Sequence, residues 1–433
     1  MKTRLFTLFV LVVSLVLVSS TPGALARGLG TAASPTAVQQ QGQHVQLVGY
    51  YELLTAPYGV AVAGDTAYVT DMAGLHILDI SDPAAPARIG WCETGNALGV
   101  AVAGSLGDLY AYVTHGVAGL RVVDVSDPVA PVETGLYDTP GGAVAVAVHS
   151  YGASRRTEQQ APLRDSIAGG PGDLYAYVAA GVAGLRVVDV SDPVAPVGTG
   201  LYDTPGEAPG VAVAGGPGDL YAYVADGGAG LRVVDVSDPA APAEVGSYDT
   251  PGKAWDVVVA SGPGGTLAYV ADLDVSGVNN SLRIIDVSDP AAPTQVGFYS
   301  AGGGCWTWGV AVVDNYAYIA NFGCGLRIVD VSDPTAPAEV GVWYGADPIS
   351  VTVAGKYAYV GAVSGYGLRV LNISDPAAPT EAGFYSALGQ AGDVVVVDRP
   401  GGPLAYAVDN GGGLLILRFF PYQVYLPAVA RSY

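Results

Sequence analysis

Short apolar segments separated by polar turns run along most of the chain, and one unit of this pattern recurs. In residues 119–137, GLRVVDVSDPVAPVETGLY, a β-branched apolar run ends at Ser126, Asp127 and Pro128, and a second short segment follows. Ser and Asp side chains bond neighbouring backbone amides and Pro fixes φ, so S-D-P predicts a turn between two strands. The aspartate of this turn occurs seven times, at Asp82, Asp127, Asp192, Asp238, Asp289, Asp333 and Asp375.

Most of these turns follow one another at intervals of 42–46 residues. Each unit divides into four short strands, which in the first unit are predicted at residues 59–63, 67–71, 75–80 and 87–91. A period of this length with four strands is typical of a propeller blade. Segments such as AYVAD and LRVVDV are apolar on both faces, which fits sheets packed between two neighbours.

The chain has one more innermost strand than it has S-D-P turns. These strands are predicted to begin near Gly59, Gly99, Ala143, Gly210, Asp256, Gly309, Ser350 and Asp393. The eighth unit has only three strands, whereas the strand-like segment 45–51, VQLVGYY, belongs to no unit of its own. We therefore predict an all-β fold, an eight-bladed β-propeller of four-stranded blades. In this fold the N-terminal strand completes the last blade and closes the ring.

Residues 1–26 have the pattern of a signal peptide. Lys2 and Arg4 precede an apolar stretch, and Ala24-Leu25-Ala26 predicts cleavage after Ala26. An uncleaved membrane anchor is the alternative, although the apolar stretch is short for a span. We predict a protein that is secreted or held at the cell surface, with no transmembrane span after cleavage. Its predicted parts are a signal peptide at 1–26, a flexible linker at 27–44, the propeller at 45–418 and a C-terminal tail at 419–433.

The formal net charge of −21 bears on which partners the protein can bind. Much of the acid belongs to the repeated S-D-P turns, so turn chemistry explains it without a cationic partner. Nucleic-acid binding through phosphate contacts is excluded by this balance. An acidic surface favours solubility and also divalent cations.

The sequence contains no motif of a serine hydrolase, a zinc protease, a P-loop or a dinucleotide-binding fold. The best candidates for a site are the ends of the second strands, where eight residues occupy equivalent positions: Asp71, His115, Ala180, Asp226, Asp272, Asn321, Gly361 and Asp409. The polar members form either a ring at the channel mouth that binds a cation or a polar ligand, or a set of side chains that each cap their own turn.

The stretch Asp272-Leu273-Asp274-Val275-Ser276-Gly277 matches the opening of a calcium loop. Oxygen ligands at alternate positions suit a hard cation, which makes Asp272, Asp274 and Ser276 candidate Ca²⁺ ligands. The twelfth position is Arg283 instead of the usual glutamate, so an ordinary compact turn is the alternative. No other cofactor is indicated.

Cysteine and tryptophan residues lie near the starts of the fifth and sixth blades. Cys305 and Cys324 lie in loops on the same face of a propeller, and we predict a disulfide between them, with Cys92 left as a small hydrophobic residue. Three tryptophans are candidates for a ligand site on that face: Trp255, Trp306 and Trp308. Indoles at a pocket mouth stack on sugars or clamp peptide, whereas packing between blades is the alternative.

The repeated GLRVVDVSDP, with A-Y-V upstream and P-x-x-V-G-x-Y downstream, resembles the LVIVD repeat family of exported bacterial β-propellers. The resemblance covers residues 45–418. It implies a secreted or cell-surface propeller without an established common catalytic site.

Three hypotheses for function follow. The first is a non-enzymatic binding or scaffold module for an extracellular protein or polysaccharide, acting as a monomer. The second is a hydrolase or lyase acting on extracellular glycans, since paired carboxylates suffice for glycoside cleavage; its candidate acids are Asp226, Asp256, Asp272 and Asp409. The third is a purely structural surface protein.

An insertion between Val148 and Leu174, which carries Arg155, Arg156 and Arg164, is either a surface loop or a docking site for a partner.

Overall fold

The computed structural model describes residues 44–420, except 54, 106, 151–173, 217, 263–264, 274–280, 303, 364–365 and 387–388. These residues belong to one unit, Ser34–Tyr433, and the other unit, Met1–Ala33, lies outside them. The predicted signal peptide, residues 27–43 of the predicted linker, the tail beyond Phe420 and the arginine-containing insertion also lie outside the described residues. Within the described part of the chain, no helix has the length and apolarity that a membrane crossing requires.

Eight antiparallel sheets of four strands each make up the ring, and each sheet is one blade. The strands of blades 1 to 4 are β2 (Pro57–Ala63), β3 (Thr66–Asp71), β4 (Leu75–Asp79), β5 (Ala87–Cys92); β6 (Ala97–Ser105), β7 (Asp108–His115), β8 (Gly119–Asp124), β9 (Val132–Tyr137); β10 (Ala145–Ser150), β11 (Leu174–Ala179), β12 (Leu185–Asp189), β13 (Val197–Tyr202); β14 (Gly210–Gly216), β15 (Asp219–Ala225), β16 (Leu231–Asp235) and β17 (Ala243–Tyr248). A single 3₁₀ turn among the described residues, Gly116–Ala118, links β7 to β8.

The strands of blades 5 to 8 are β18 (Lys253–Gly262), β19 (Gly265–Leu273), β20 (Ser281–Asp286), β21 (Thr294–Ser300); β22 (Trp306–Val313), β23 (Tyr316–Phe322), β24 (Gly325–Asp330), β25 (Ala338–Trp343); β26 (Pro348–Ala354), β27 (Tyr357–Ala362), β28 (Gly367–Asn372), β29 (Thr380–Tyr385); β30 (Ala391–Val397), β31 (Leu404–Asp409), β32 (Gly413–Phe419) and β1 (Val45–Glu52). The predicted eight-bladed β-propeller is confirmed, and β1 is the fourth strand of blade 8.

Strand β1 closes the ring through two sets of contacts. It pairs antiparallel with β32, from Val45 opposite Phe419 to Glu52 opposite Gly413. Its Gly49 packs against blade 1 so closely that a Cβ there would lie 2.0 Å from the carbonyl oxygen of Pro83. The first and last parts of the described chain are thereby joined in one blade, as the sequence predicted.

The core lies between the blades, because each blade buries both of its faces. The second strands contribute the largest side chains that are fully buried, among them Tyr68, Tyr112, Tyr177, Tyr359 and Tyr406. Tyr68 of blade 1, for example, belongs to a cluster with Val102 and Val113 of blade 2. Aromatic rings of this size fill the space between neighbouring sheets.

The S-D-P turn is built as its residue types predict. The Asp124 carboxylate accepts a hydrogen bond from the Ser126 amide at 2.9 Å, and Asp127 accepts one from Val129 at 3.1 Å. The same turn also contacts the preceding blade, where the carbonyl oxygen of Pro128 would lie 2.1 Å from a Cβ on Gly90. One short motif therefore forms a turn and a contact between blades.

Candidate functional site

The second strands end and the innermost strands begin on one face of the ring, which we call the upper face. The polar residues predicted there are almost all buried: Asp71, Asp226, Asp272, Asn321 and Asp409 are 2% exposed or less. His115 is half-buried. Their hydrogen-bond partners decide whether they point to a common site.

Asp71 is bonded to its own blade. Its carboxylate accepts hydrogen bonds from the Ala73 amide at 2.8 Å and the Gly74 amide at 2.9 Å, and it lies 2.9 Å from the His76 ring. The Thr55 hydroxyl donates a further bond at 2.5 Å. Burial alone would raise the pKa of Asp71, but the bonds from His76 and Thr55 outweigh burial and hold its pKa below the ordinary value.

Asp226 is paired with an arginine from the third strand of its own blade and accepts hydrogen bonds from the preceding loop. Its carboxylate lies 3.7 Å from Arg232 Nε and accepts bonds from the Thr204 hydroxyl and the Gly206 amide. Burial raises the pKa of Asp226 above its ordinary value, although these hydrogen bonds and Arg232 oppose the shift.

Asp272 repeats this arrangement in blade 5. It lies 2.9 Å from Arg283 Nε and accepts a bond from the Gly252 amide at 3.0 Å. Burial raises the pKa of Asp272, against the opposing effect of Arg283. Arg283 is the residue at the twelfth position of the predicted calcium loop. Asp272 is the one candidate ligand of that loop among the described residues, and Arg283 contacts its carboxylate. Asp274 and Ser276 lie outside the described residues.

The remaining polar residues of the upper face also bond within their own blades. Asp409 accepts hydrogen bonds from the amides of Gly389 at 2.9 Å and Gly411 at 3.0 Å. Asn321 accepts a bond from the Thr307 hydroxyl at 2.7 Å, and His115 accepts one from the Ala118 amide at 3.2 Å. The bonds from Gly411 and Ala118 are the ones that the turn-capping alternative expects, whereas Gly389 and Thr307 belong to the preceding loop and the innermost strand. Over residues 44–420, apart from the gaps given above, no three His, Cys, Asp or Glu side chains are grouped as a metal site requires.

The structure brings two of the three predicted tryptophans together. Trp255 in β18 and Trp308 in β22 have ring centroids 5.4 Å apart at an interplanar angle of 79°, an edge-to-face contact between blades 5 and 6. Both rings are half-buried. Trp306 makes a different contact, stacking on Phe322 of the neighbouring strand at 5.8 Å.

Trp255 and Trp308 each stand at a bulge where the innermost strand begins, since the pairing with the second strand skips both residues. Every blade has a residue at this position, two residues before a valine and directly after a buried residue. We call this set the mouth ring, and it consists of Tyr58, Leu98, Val144, Pro209, Trp255, Trp308, Ile349 and Gly392. All are uncharged. Sequence reasoning identified only the two tryptophans, although the aligned spacing before the valine would have identified all eight.

Hydrogen bonds between blades fix the backbone of the mouth ring. The Thr70 hydroxyl of blade 1 donates to the carbonyl oxygen of Leu98 in blade 2 at 3.0 Å. The Thr114 hydroxyl donates in the same way to Val144 at 3.2 Å, and the Ser350 hydroxyl to Gly392 at 2.6 Å. The backbone at Leu98, Val144 and Gly392 is therefore held by its own blade and by the preceding one.

A disulfide joins Cys305 to Cys324, with their Cα atoms 5.4 Å apart. It ties the segment before β22 to the turn between β23 and β24, next to Trp306 at the start of β22. Cys92 is a free, buried cysteine, and burial raises the pKa of its thiol.

Several solved structures have a similar fold. Sqt1 from Saccharomyces cerevisiae superposes with a TM-score of 0.66 at 7% identity, over 86% of this chain and 98% of that one. The computationally designed protein Ika8 gives 0.59 at 10% identity, over 85% of this chain and 98% of the other. BamB from Moraxella catarrhalis gives 0.55 at 11% identity, over 87% of this chain and all of BamB (100%). At these identities the similarity shows the fold alone.

No curated protein matches this chain in sequence. The LVIVD repeat, in contrast, matches seven times, at residues 58–94, 94–139, 172–204, 205–250, 251–301, 304–343 and 347–387. These matches span blades 1 to 7 and include every S-D-P turn. The chain therefore belongs to the LVIVD repeat family.

Proposed function

We propose that this protein is exported and acts as a non-enzymatic binding or scaffold module, with an extracellular protein or polysaccharide as its ligand. The ligand would be held at the mouth ring on the upper face. The observation that carries this proposal is the pair of half-buried indoles, Trp255 and Trp308, which meet 5.4 Å apart where two innermost strands begin.

The chemistry of the mouth ring supports a ligand with uncharged, apolar faces. Aromatic rings at a concave site provide large contact areas with little loss of side-chain entropy. The ring contains tryptophan, tyrosine, leucine, isoleucine, valine and proline, and no charged residue. The faces of pyranose rings and the apolar side chains of a peptide both fit this surface.

Export is supported by the signal-peptide pattern of residues 1–26 and by the disulfide between Cys305 and Cys324. Disulfides persist in oxidising compartments outside the cytosol. The glycan-cleaving alternative lacks such support. Asp226, Asp272 and Asp409 are at most 2% exposed and accept hydrogen bonds from the loop that precedes their own blade, and Asp256 accepts a hydrogen bond from the adjacent Val257 amide at 2.9 Å.

The test is tryptophan fluorescence of residues 27–433 titrated with polysaccharides, peptidoglycan fragments and unfolded polypeptide. We expect saturable quenching by one of these ligands. The affinity read from it should fall about tenfold or more in Trp308→Ala, because the indole supplies much of the contact. The matched control is Trp91→Ala, which removes an exposed indole from the outer strand of blade 1. Equal affinities of the Trp308 variant and the wild type would contradict the proposed site.

A further inference from the structure

Exposed apolar side chains are concentrated on two neighbouring blades. Of the fifteen large apolar residues that are exposed among those described, nine lie in blades 2 and 3. Six of them form two equivalent rows on the outer rim, which we call the rim patch: Val129, Val132 and Leu136 in blade 2, and Val194, Val197 and Leu201 in blade 3. Large apolar side chains that are exposed in one region of a surface point to an interaction site.

The other blades do not carry these rows. In blade 4 the equivalent positions are Ala240, Ala243 and Ser247. The repeat itself therefore does not require valine and leucine here, and the rim patch is a property of blades 2 and 3.

A polar contact between neighbouring outer strands is also missing at this place. Tyr202 of blade 3 donates a hydrogen bond to Glu244 of blade 4, and Tyr299 of blade 5 donates one to Glu339 of blade 6. At the junction of blades 2 and 3 the glutamate is replaced by Gly198, where a Cβ would lie 2.3 Å from the Tyr137 hydroxyl.

The Tyr137 ring packs directly on Gly198, and both residues border an opening beside the outermost strand of blade 3. A cavity of about 310 Å³ lies there, lined by Tyr137, Gly198, Thr199, Gly200, Leu201, Ala240, Ala241 and Pro242. β13 is the last strand of its sheet, so its outer edge has no strand partner in the described part of the chain. An open edge with apolar side chains and an adjacent cavity suits the addition of an extended peptide.

The charges around the rim patch indicate what kind of peptide fits. The two arginines described in blades 2 and 3 are neutralised within their own blades, Arg121 by Glu133 at 2.8 Å and Arg186 by Asp203 at 2.7 Å. Aspartates of the S-D-P turns border one end of each row, and Asp138 and Asp203 border the other end. A second copy of this chain, with its own net charge of −21, would place like charges together.

We propose that the rim patch binds a polypeptide segment with an apolar centre and basic flanks. The segment adds to β13 as a fifth strand, places one apolar side chain in the cavity beside Gly198, and sets its basic residues against the bordering aspartates. This surface is separate from the mouth ring, so the two proposals stand or fall independently.

The probe is a fluorescein-labelled synthetic peptide of alternating valine and threonine with lysines at both ends, measured by fluorescence anisotropy against the chain from residue 27. We expect saturable binding that is weakened about tenfold by Leu201→Ser, the loss typical of an apolar side chain removed from an interface. Gly198→Glu, which displaces the Tyr137 ring from its contact with Gly198 and changes the lining of the cavity, is expected to weaken binding to a similar extent.

Leu201→Ser copies Ser247 of blade 4 and is expected to fold. Gly198→Glu copies Glu244, and it is expected to fold once the Tyr137 side chain moves outward to the position from which Tyr202 donates to Glu244. Phe298→Ser, on the outer strand of blade 5, is the matched control and should bind the peptide like the wild type. Absence of binding, equal affinities of all variants, or equal binding of a peptide with glutamate flanks would overturn the proposal. Two further results would overturn it if the peptide does not bind. One is a dimer in sedimentation velocity that Leu201→Ser abolishes, and the other is binding to neutral phosphatidylcholine vesicles that the same variant abolishes.

Discussion

The buried carboxylates of the upper face differ in what compensates their charge. Asp71 has His76 beside it, whereas Asp226 and Asp272 each have an arginine from the following strand. A buried carboxylate without such a partner costs several kcal/mol, so the acid and the base of one blade form a single structural unit. Asp71, Asp226 and Asp272 each therefore have a basic partner within their own blade.

The pairing of Asp71 predicts a pH-dependent contribution to stability. Because the native pKa of Asp71 lies below its ordinary value of 3.8, its ionised form stabilises the fold above that value, and the contribution is lost as pH falls through the lowered pKa. We expect Asp71→Asn to lower the free energy of unfolding by about 1–3 kcal/mol at pH 7. In urea unfolding the gap between variant and wild type should narrow at acidic pH, whereas Asp138→Asn, at an exposed position, should leave the free energy of unfolding at pH 7 close to the wild-type value. A gap that stays constant down to about pH 3 would contradict this assignment.

Part of the site could be predicted from single residues. The ends of the second strands and the clustering of Trp255 and Trp308 followed from the repeat spacing alone. The side-chain partners did not, because the sequence shows an aspartate without showing that His76 or Arg283 reaches it from the next strand. The mouth ring was missed for a related reason, since Leu98, Val144 and Ile349 are unremarkable apolar residues until the blades are aligned.

At the scale of strands and turns, the sequence carried most of the information. S-D-P turns and two-faced apolar strands predicted the first seven blades, most of them at intervals of 42–46 residues, because each is a local consequence of residue type. Contacts between blades were harder to foresee. The hydrogen bond from Tyr202 to Glu244 joins residues that lie in different repeats, and only the packed ring brings their outer strands together.

The cysteines give a prediction at the same scale. The disulfide between Cys305 and Cys324 closes a short loop around β22 and β23, while burial raises the pKa of the Cys92 thiol. We expect a thiol reagent at neutral pH to find no reactive cysteine in the native protein and one after denaturation without reductant. Cys305→Ser should lower the free energy of unfolding by about 3 kcal/mol, and Cys92→Ala serves as the control that leaves the disulfide intact. Three reactive thiols in the denatured, unreduced protein would show that the disulfide does not form.

For the whole molecule, the count of strands was enough to predict closure, because eight innermost strands and seven S-D-P turns left one outer strand to be supplied by β1. The ligand could not be predicted in this way. A propeller presents both a central mouth and an outer rim, and the choice between them depends on which residues depart from the repeat, such as the two tryptophans and Gly198.

Ring closure rests on the contact of Gly49 with blade 1, and this contact can be tested against an equivalent one inside the ring. A Cβ on Gly49 would lie 2.0 Å from the Pro83 carbonyl oxygen, and one on Gly90 would lie 2.1 Å from that of Pro128. Either alanine substitution should lower the free energy of unfolding by about 1–3 kcal/mol.

Gly49→Ala can relieve the clash by releasing β1, whereas β5, which carries Gly90, is connected at both ends to blades. Hydrogen exchange should therefore accelerate only in β1 and β32 for Gly49→Ala. Gly228→Ala, where a Cβ meets nothing within 4 Å, should leave exchange unchanged. Uniform acceleration in every blade of Gly49→Ala would mean that β1 is no weaker a link than the other outer strands.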